Sequence, residues 1–199
     1  GQEVKMSKRA ASYVTLRELR EEGGIDATRY FFIMRKTKSH LDFDIDVAKK
    51  QSLDNPVYYA QYAHARIASI NRVGVEKGLV DAADVRDGIW QGSFDPSRLA
   101  ADEIGLLRAC RGLRRTVEAG ARDLDPALVT DFASFLSGEF QRYYEKNIVL
   151  TPEEPVRRVR LAACGAVHQV LRNAFALLGV TAPERLQSKD AVPVPESGS

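Results

Sequence analysis

The sequence predicts an all-α fold, a helical bundle that follows a short mixed segment, and three features support this prediction. Start signals stand at Asp54-Asn55-Pro56, Asp125-Pro126 and Thr151-Pro152-Glu153-Glu154, each with Pro placed in the first turn of the coming helix. Apolar residues recur at helical spacing after each signal. Strand patterns are scarce. Apolar residues form 44% of the 199 residues, which is enough to bury a core.

The mixed segment comes first along the chain. It starts with basic residues, is interrupted at Gly23-Gly24, and then carries a short, mostly buried helix over 26–36 with Asp26 as the N-cap. Residues 40–46, with the sequence HLDFDID, alternate apolar and polar side chains. That alternation predicts an extended stretch.

The first long helix is predicted from Pro56 to about Arg72, with Asn55 as its cap. Two faces follow from a turn of about 100° per residue. One face packs on the bundle and holds Tyr59, Ala63, Ile67 and Ile70. The second presents its tyrosines outward and holds Tyr58, Tyr62, Ala65 and Ser69, with Arg66 between the two faces.

The remaining elements follow from glycines, prolines and apolar stripes. Residues 73–100 are broken by Gly and Pro and predict short helical turns and loops. Residues 102–122 predict a single amphipathic helix with arginines on its polar side. A helix follows Asp125-Pro126, and a last one runs from a capping box at Thr151 to a stop at Gly179. The polar tail at 187–199 predicts disorder.

Composition and charge exclude several classes of protein. Cys110 and Cys164 are the two cysteines and form no CxxC, so a disulfide scaffold and a zinc site are not expected and a reducing compartment fits. Residues 1–72 hold 13 Lys and Arg against 9 Asp and Glu, a net charge of +4, whereas 73–199 carry −2. Nucleic-acid binding by the second part therefore requires that its basic side chains gather on one face.

The most specific local motif is Lys5-Met6-Ser7-Lys8-Arg9. It resembles the KMSKS signature of class I aminoacyl-tRNA synthetases, in which mobile lysines meet the triphosphate of ATP as charge moves onto pyrophosphate. The alternative is a solvated basic loop. Longer stretches decide between the two: DATRYFFIMRK, NPVYYAQYAHARI, FQRYYEKNIVL and RVRLAACGAVHQVLRNAFALLGVTAPERL are similar to arginyl-tRNA synthetases, in the order of that family, over residues 1 to about 186.

The resemblance implies a domain organisation. Residues 1–22 correspond to the KMSKS-type loop region at the end of the catalytic domain, and 23–60 form a connecting segment. Residues 61–186 correspond to the helical anticodon-binding domain, followed by the tail. The chain begins at Gly1 and shows no His-Ile-Gly-His type signature. We therefore expect a piece of a longer protein that lacks the nucleotide-binding fold and is inactive alone.

The resemblance also implies a function. The family activates arginine with ATP and magnesium and then attaches it to arginine tRNA. Lys5 and Lys8 are the expected catalytic lysines, and Lys5, Met6, Ser7 and Lys8 the expected ATP-binding residues. The tRNA anticodon stem-loop is the expected partner of the helical domain, in the cytoplasm, with no membrane, DNA or protein-bound metal. The alternative is a stand-alone, non-catalytic tRNA-binding or regulatory module derived from the synthetase.

Candidate tRNA contacts combine aromatic and basic side chains, because unpaired bases stack on rings and phosphates bind cations. They are Tyr58, Tyr62, Arg66, Tyr143, Tyr144, Arg157 and Arg160. In the alternative interpretation the tyrosines pack between helices. One of Tyr143 and Tyr144 must face inward. The Asp-Ala-Leu-Arg motif that names the domain falls at 165–168, where only Ala166 matches, so the roles of its Asp and Arg are not carried over.

Overall fold

The computed structural model describes residues 15–35, 45–50 and 52–186, and this part of the chain is a helical bundle. It contains eight α-helices, two 3₁₀ turns and one two-stranded sheet. In chain order the elements are α1 (Leu16–Gly23), α2 (Ile25–Ile33), α3 (Ile45–Lys49), α4 (Pro56–Glu76), a 3₁₀ turn (Ala82–Asp84), β1 (Val85–Arg86), β2 (Ile89–Trp90), a 3₁₀ turn (Pro96–Arg98), α5 (Ala101–Cys110), α6 (Gly112–Asp123), α7 (Ala127–Lys146) and α8 (Glu154–Leu178). The predicted all-α class is confirmed.

Helices α4, α7 and α8 form the centre of the bundle and pack against one another. Their facing side chains, among them Ile67, Leu136, Phe140, Leu171 and Phe175, are fully buried. Each such side chain contributes about 1.5–3 kcal/mol when it leaves water. Helix α5 packs on α7 and α8, and α6 packs on α7.

Helix α8 is long and apolar enough to cross a membrane by length and composition alone. In this structure, however, it lies against α4, α5 and α7, and 56% of its apolar window is buried. A central core helix produces the same pattern, so its composition follows from burial inside the bundle.

The start of α4 matches its prediction. Asn55 Oδ1 accepts a hydrogen bond from Val57 N at 3.2 Å, and Pro56 occupies the first turn. The Asn55 amide also donates to the carbonyls of Ala48 and Lys50, both at 3.0 Å. One capping residue therefore starts α4 and fixes the end of α3.

The start of α8 differs from its prediction, whereas its end agrees. The helix begins at Glu154 rather than Pro152, Pro155 takes the first turn, and no side chain caps it. The predicted capping box at Thr151 is therefore wrong. Gly179 ends the helix in the left-handed region at φ 64°, where a glycine carries no steric penalty.

The single helix predicted over 102–122 is wrong, because the structure breaks it at Arg111 into α5 and α6. A Cβ at Gly112 would lie 2.9 Å from the Phe132 ring, so this glycine allows α6 to approach α7 closely. The helical period of the sequence does not contain this break.

The region 73–100 holds the expected short turns, together with a β-hairpin that the sequence analysis missed. Val85 pairs with Trp90 and Arg86 with Ile89 around a turn in which Asp87 and Gly88 both have positive φ. Asp-Gly is the favoured pair for such a turn. The hairpin buries Trp90 against α4 and α8.

Helices α1 to α3 pack on one another, and α2 also joins the bundle. Helix α2 matches the predicted buried helix, but Gly24 and not Asp26 is its N-cap, so the predicted cap is wrong. The Tyr30 hydroxyl donates to Thr130 O at 3.0 Å. Asp26 accepts hydrogen bonds from Gln61 Nε2 at 2.8 Å and from the backbone and hydroxyl of Thr181. This Asp26 junction links α2, α4 and the segment after α8.

Some predictions fall outside the described residues. They are the motif with Lys5, Met6, Ser7 and Lys8, most of the extended stretch at 40–46, and the tail at 187–199. At the end of that stretch, Ile45 and Asp46 belong to α3, so the extended prediction is wrong for these two.

Candidate nucleic-acid interface

The structure brings together three of the predicted RNA contacts, Tyr62, Arg66 and Tyr144, and we call them the aromatic surface. Tyr62 and Arg66 are one turn apart on α4, and Tyr144 comes from the last part of α7. The Arg66 guanidinium carbon lies 4.4 Å from the Tyr144 ring centre and 5.4 Å from that of Tyr62, and Nη1 donates to the Tyr62 hydroxyl. All three side chains are half-buried.

Arg66 carries an uncompensated charge on this surface. Within the described residues no carboxylate forms an ion pair with it, and its Nε is buried without a hydrogen-bond partner. A cation over an aromatic face gains roughly 0.5–2 kcal/mol, which holds the guanidinium in place without neutralising it. The surface therefore offers fixed N–H donors, positive charge and two rings.

Tyr58 lies deeper than predicted. Its side chain is buried, with 7% of the residue exposed, and Ala65 on the same face is also buried. The outward orientation predicted for this face of α4 is therefore wrong at both positions. The Tyr58 ring stacks at 6.4 Å on Tyr62, so it supports the aromatic surface from within.

Tyr143 and Tyr144 face different sides of α7, since neighbouring residues on a helix are about 100° apart, and one of them lies inward as predicted. Tyr143 is buried and its hydroxyl donates to Glu103 Oε1 at 2.8 Å. Burial, followed by the negative charge around it, raises the pKa of Tyr143 well above its usual range. Tyr143 therefore belongs to the core, and only Tyr144 reaches the aromatic surface.

Arg157 and Arg160 serve the fold in this structure. Arg157 is 8% exposed and donates to the carbonyls of Thr151 and Pro152 at 2.7 and 2.9 Å. Arg160 donates to Ile148 O at 2.8 Å, and its Nε lies 3.6 Å from Glu103 Oε1. Their guanidinium groups bind the chain before α8, which leaves Arg157 without an exposed face for phosphate.

Glu103 is a buried carboxylate that the sequence analysis missed. It is 3% exposed, accepts from Ala100 N at 3.1 Å and from Tyr143, and faces Arg160. A buried charge costs several kcal/mol unless it is paired and hydrogen-bonded, as it is here. The available signal was its spacing: Glu103 precedes Leu106 and Cys110 by three and seven residues and shares their buried side.

His64 is packed, as expected, and stacks on His168 with ring centres 3.7 Å apart. Both residues are buried, and His64 Nδ1 lies 2.9 Å from Pro183 O. Burial lowers the pKa of His64, and burial together with the His64 charge lowers the pKa of His168 to about 3. Both imidazoles are therefore neutral near pH 7. His168 occupies the place of the Arg in the motif that names the domain.

Within residues 15–35, 45–50 and 52–186, no group of three or more His, Cys, Asp or Glu is placed to hold a metal ion. The expectation that the protein binds no metal of its own stays a prediction.

Known proteins resemble this chain in sequence. Residues 60–186 match the model of the DALR anticodon binding domain. Arginine–tRNA ligase of Nitrosospira multiformis is 46% identical over 187 residues, which cover 94% of this chain and 30% of that protein. The ligase of Moorella thermoacetica is 45% identical, with 94% and 32% covered. The chain thus spans about a third of the length of these curated relatives.

Two solved structures share the fold. An arginyl-tRNA synthetase structure from Campylobacter jejuni aligns with a TM-score of 0.70 at 26% identity, over 92% of this chain and 37% of that one. The Thermus thermophilus arginyl-tRNA synthetase aligns at 0.68 and 24% identity, over 90% and 29%.

The described residues form a helical bundle that holds an arginine with no carboxylate partner between two tyrosines, a combination that suits unpaired bases and phosphates. The family match covers more than half of the chain. The chain belongs to the DALR anticodon-binding domain family, and its resemblance to arginyl-tRNA synthetases is confirmed.

Proposed function

We propose that this chain is the C-terminal part of an arginine–tRNA ligase and that it binds the anticodon stem-loop of arginine tRNA. The observation that carries the proposal is Arg66, a fixed and uncompensated guanidinium between Tyr62 and Tyr144 on a domain of the anticodon-binding family. Rings of this kind stack on unpaired bases, and a guanidinium donates to base edges or to phosphate.

The whole enzyme's activity belongs to the proposal as well. In it the longer protein activates arginine with ATP and magnesium in the cytoplasm, and Lys5 and Lys8, with Met6 and Ser7, meet the ATP phosphates. What supports this is the motif itself and the names of the relatives. In the alternative, a stand-alone tRNA-binding module would use the same aromatic surface without the ATP chemistry. An aminoacylation assay of the longer protein discriminates between the ligase and this module.

The binding experiment uses residues 1–199, with arginine tRNA and with its isolated anticodon stem-loop as ligands. Arg66→Ala and Tyr144→Ala should each weaken binding by about 10-fold or more, because stacking contributes about 1–3 kcal/mol per base. Arg98→Ala is the matched control, since Arg98 is exposed and already paired with Asp95. Fluorescence anisotropy of labelled RNA gives the dissociation constants.

Tyr144→Phe separates the ring from its hydroxyl and should keep most of the affinity. Two results would contradict the proposal: equal binding of arginine tRNA and unrelated tRNAs, or wild-type affinity in both the Arg66 and Tyr144 variants while they remain folded by circular dichroism.

A further inference from the structure

The junction of α5 and α6 carries a second basic surface, which we call the arginine surface. It is a concave region of about 800 Å³ lined by Arg108, Arg111, Gly112, Arg114, Arg115 and Glu118. It lies where the helix breaks at Arg111, between α5 and α6. Charged side chains make up its lining apart from one glycine.

Most of the charge on this surface is not neutralised. Arg114 pairs with Glu118 at 2.8 Å, the one carboxylate in the lining. Arg108, Arg111 and Arg115 are exposed, and within the described residues none of them forms an ion pair or a hydrogen bond through its side chain. All three line the same concave region, across the break between α5 and α6.

This arrangement is electrostatically unfavourable for the free protein. Like charges three or four residues apart destabilise a helix by about 0.2–0.5 kcal/mol per pair. The first turn of α6 also holds no acidic residue, so Arg114 and Arg115 face the positive end of its dipole. Some other exposed arginines on the molecule are paired, for example Arg122 with Asp123 and Arg142 with Glu139.

We propose that the arginine surface binds phosphate groups of an RNA backbone and forms a contact separate from the aromatic surface. The lining of this region holds no aliphatic or aromatic side chain, and the apolar side chains nearest to it, among them Phe135, line a separate, adjoining region. Guanidinium groups match phosphate oxygens with two parallel hydrogen bonds, and charge alone suffices for binding a phosphate backbone. Three unpaired arginines provide up to three such contacts.

The two surfaces address different parts of an RNA. Gly112 contacts Phe132, whereas the aromatic surface uses Tyr144, which lies about 18 Å further along α7 at 1.5 Å per residue. A single nucleotide therefore cannot meet both surfaces, and the arginine surface meets a second, paired or unpaired, stretch of backbone. This inference rests on the proposed function only in that the partner is RNA.

The test compares two triple variants of the chain that have the same net charge. Arg108→Gln, Arg111→Gln and Arg115→Gln remove the arginine surface. Arg98→Gln, Arg122→Gln and Arg142→Gln are the matched control, since these three exposed arginines are already paired with carboxylates. The probes are arginine tRNA and a loop-free 12-base-pair RNA duplex, measured by anisotropy over a range of salt concentrations.

The first variant should bind the duplex about 10-fold more weakly at low salt. Its plot of log affinity against log salt should be shallower by about 2, since each lost phosphate contact removes roughly 0.7–0.9 from the slope. Equal behaviour of the two triple variants would overturn the inference. The inference would also be overturned if a 12-residue polyglutamate competed for binding as well as the unlabelled duplex does, because the surface would then bind carboxylates.

Failure here is distinguishable from failure of the proposed function. Arg66→Ala should weaken stem-loop binding and leave duplex binding unchanged. If Arg66→Ala has no effect on binding while the arginine triple variant weakens it, the proposed role of the aromatic surface is contradicted. The inference about the arginine surface is then still supported.

Discussion

Two consecutive tyrosines on α7 show how the same residue types produce a core contact and a binding surface. Tyr143 donates to Glu103, a buried carboxylate that also faces Arg160 and accepts a hydrogen bond from Ala100 N. The charge of Arg160 is therefore neutralised within the fold. Tyr144 meets Arg66, which has no carboxylate partner in the described part of the chain. Composition does not separate the two sites. What separates them is whether the positive charge is already satisfied within the fold, and only Arg66 remains available to a ligand.

The largest predicted effect on stability is that of Glu103→Ala, which disrupts the Tyr143 site and leaves the Tyr144 site intact. The change leaves Arg160 partly buried without its carboxylate and Tyr143 without its acceptor, so we expect a loss of about 3–5 kcal/mol in the free energy of unfolding. Urea denaturation measures it. Stem-loop affinity of the protein that stays folded should be unchanged, and a selective loss of RNA binding at full stability would show that the two tyrosine sites are not independent.

A smaller effect separates the two tyrosines directly. Tyr143→Phe removes a 2.8 Å hydrogen bond to a carboxylate and should cost about 1.5–3 kcal/mol of stability without altering RNA binding. Tyr144→Phe, the matched variant, should leave stability within about 0.5 kcal/mol, since its hydroxyl is not part of the buried network. Equal destabilisation by both variants would contradict this contrast.

The smallest of the three effects concerns the other buried polar pair, His64 and His168. The folded protein holds the pKa of His168 at about 3, below the value of about 6.5 for an unfolded chain. Its contribution to stability is therefore complete above pH 6.5 and is lost as the pH falls, because only the unfolded state takes up the proton. Between pH 7.5 and 5.5 the loss should be about 1.4 kcal/mol, and the lowered pKa of His64 adds to it with the same sign.

Urea midpoints at the two pH values provide the measurement, and His168→Leu is the control. That variant should show a weaker dependence on pH, and an unchanged dependence would mean that another group titrates in this range.

The elements that follow from local rules were predictable. Asn55 and Pro56 start α4 and Gly179 ends α8, because capping depends on a few neighbouring residues. The Asp87-Gly88 turn belongs with them, although it was overlooked. The break at Arg111 was not predictable from the helical period, because the apolar and basic stripes continue through it.

The candidate site divides in the same way. Tyr62 and Arg66 lie one turn apart on α4, so the sequence itself shows that they are neighbours. Their meeting with Tyr144, 78 residues after Arg66, depends on the packing of α7 against α4. The internal roles of Arg157 and Arg160 depend on carbonyls and on a carboxylate that no periodicity relates to them.

The Asp26 junction shows that contacts within the folded chain extend beyond the residues that match the family. The family match begins at residue 60, yet Gln61 and Thr181 both bind a carboxylate 34 or more residues before that boundary. Homology and folding therefore divide the chain at different places. A fragment cut at the homology boundary would lose the carboxylate that binds the Gln61 amide and the backbone and hydroxyl of Thr181. The segment after α8 would then be held to α4 by the remaining hydrogen bonds of Gln61, His64 and Arg72.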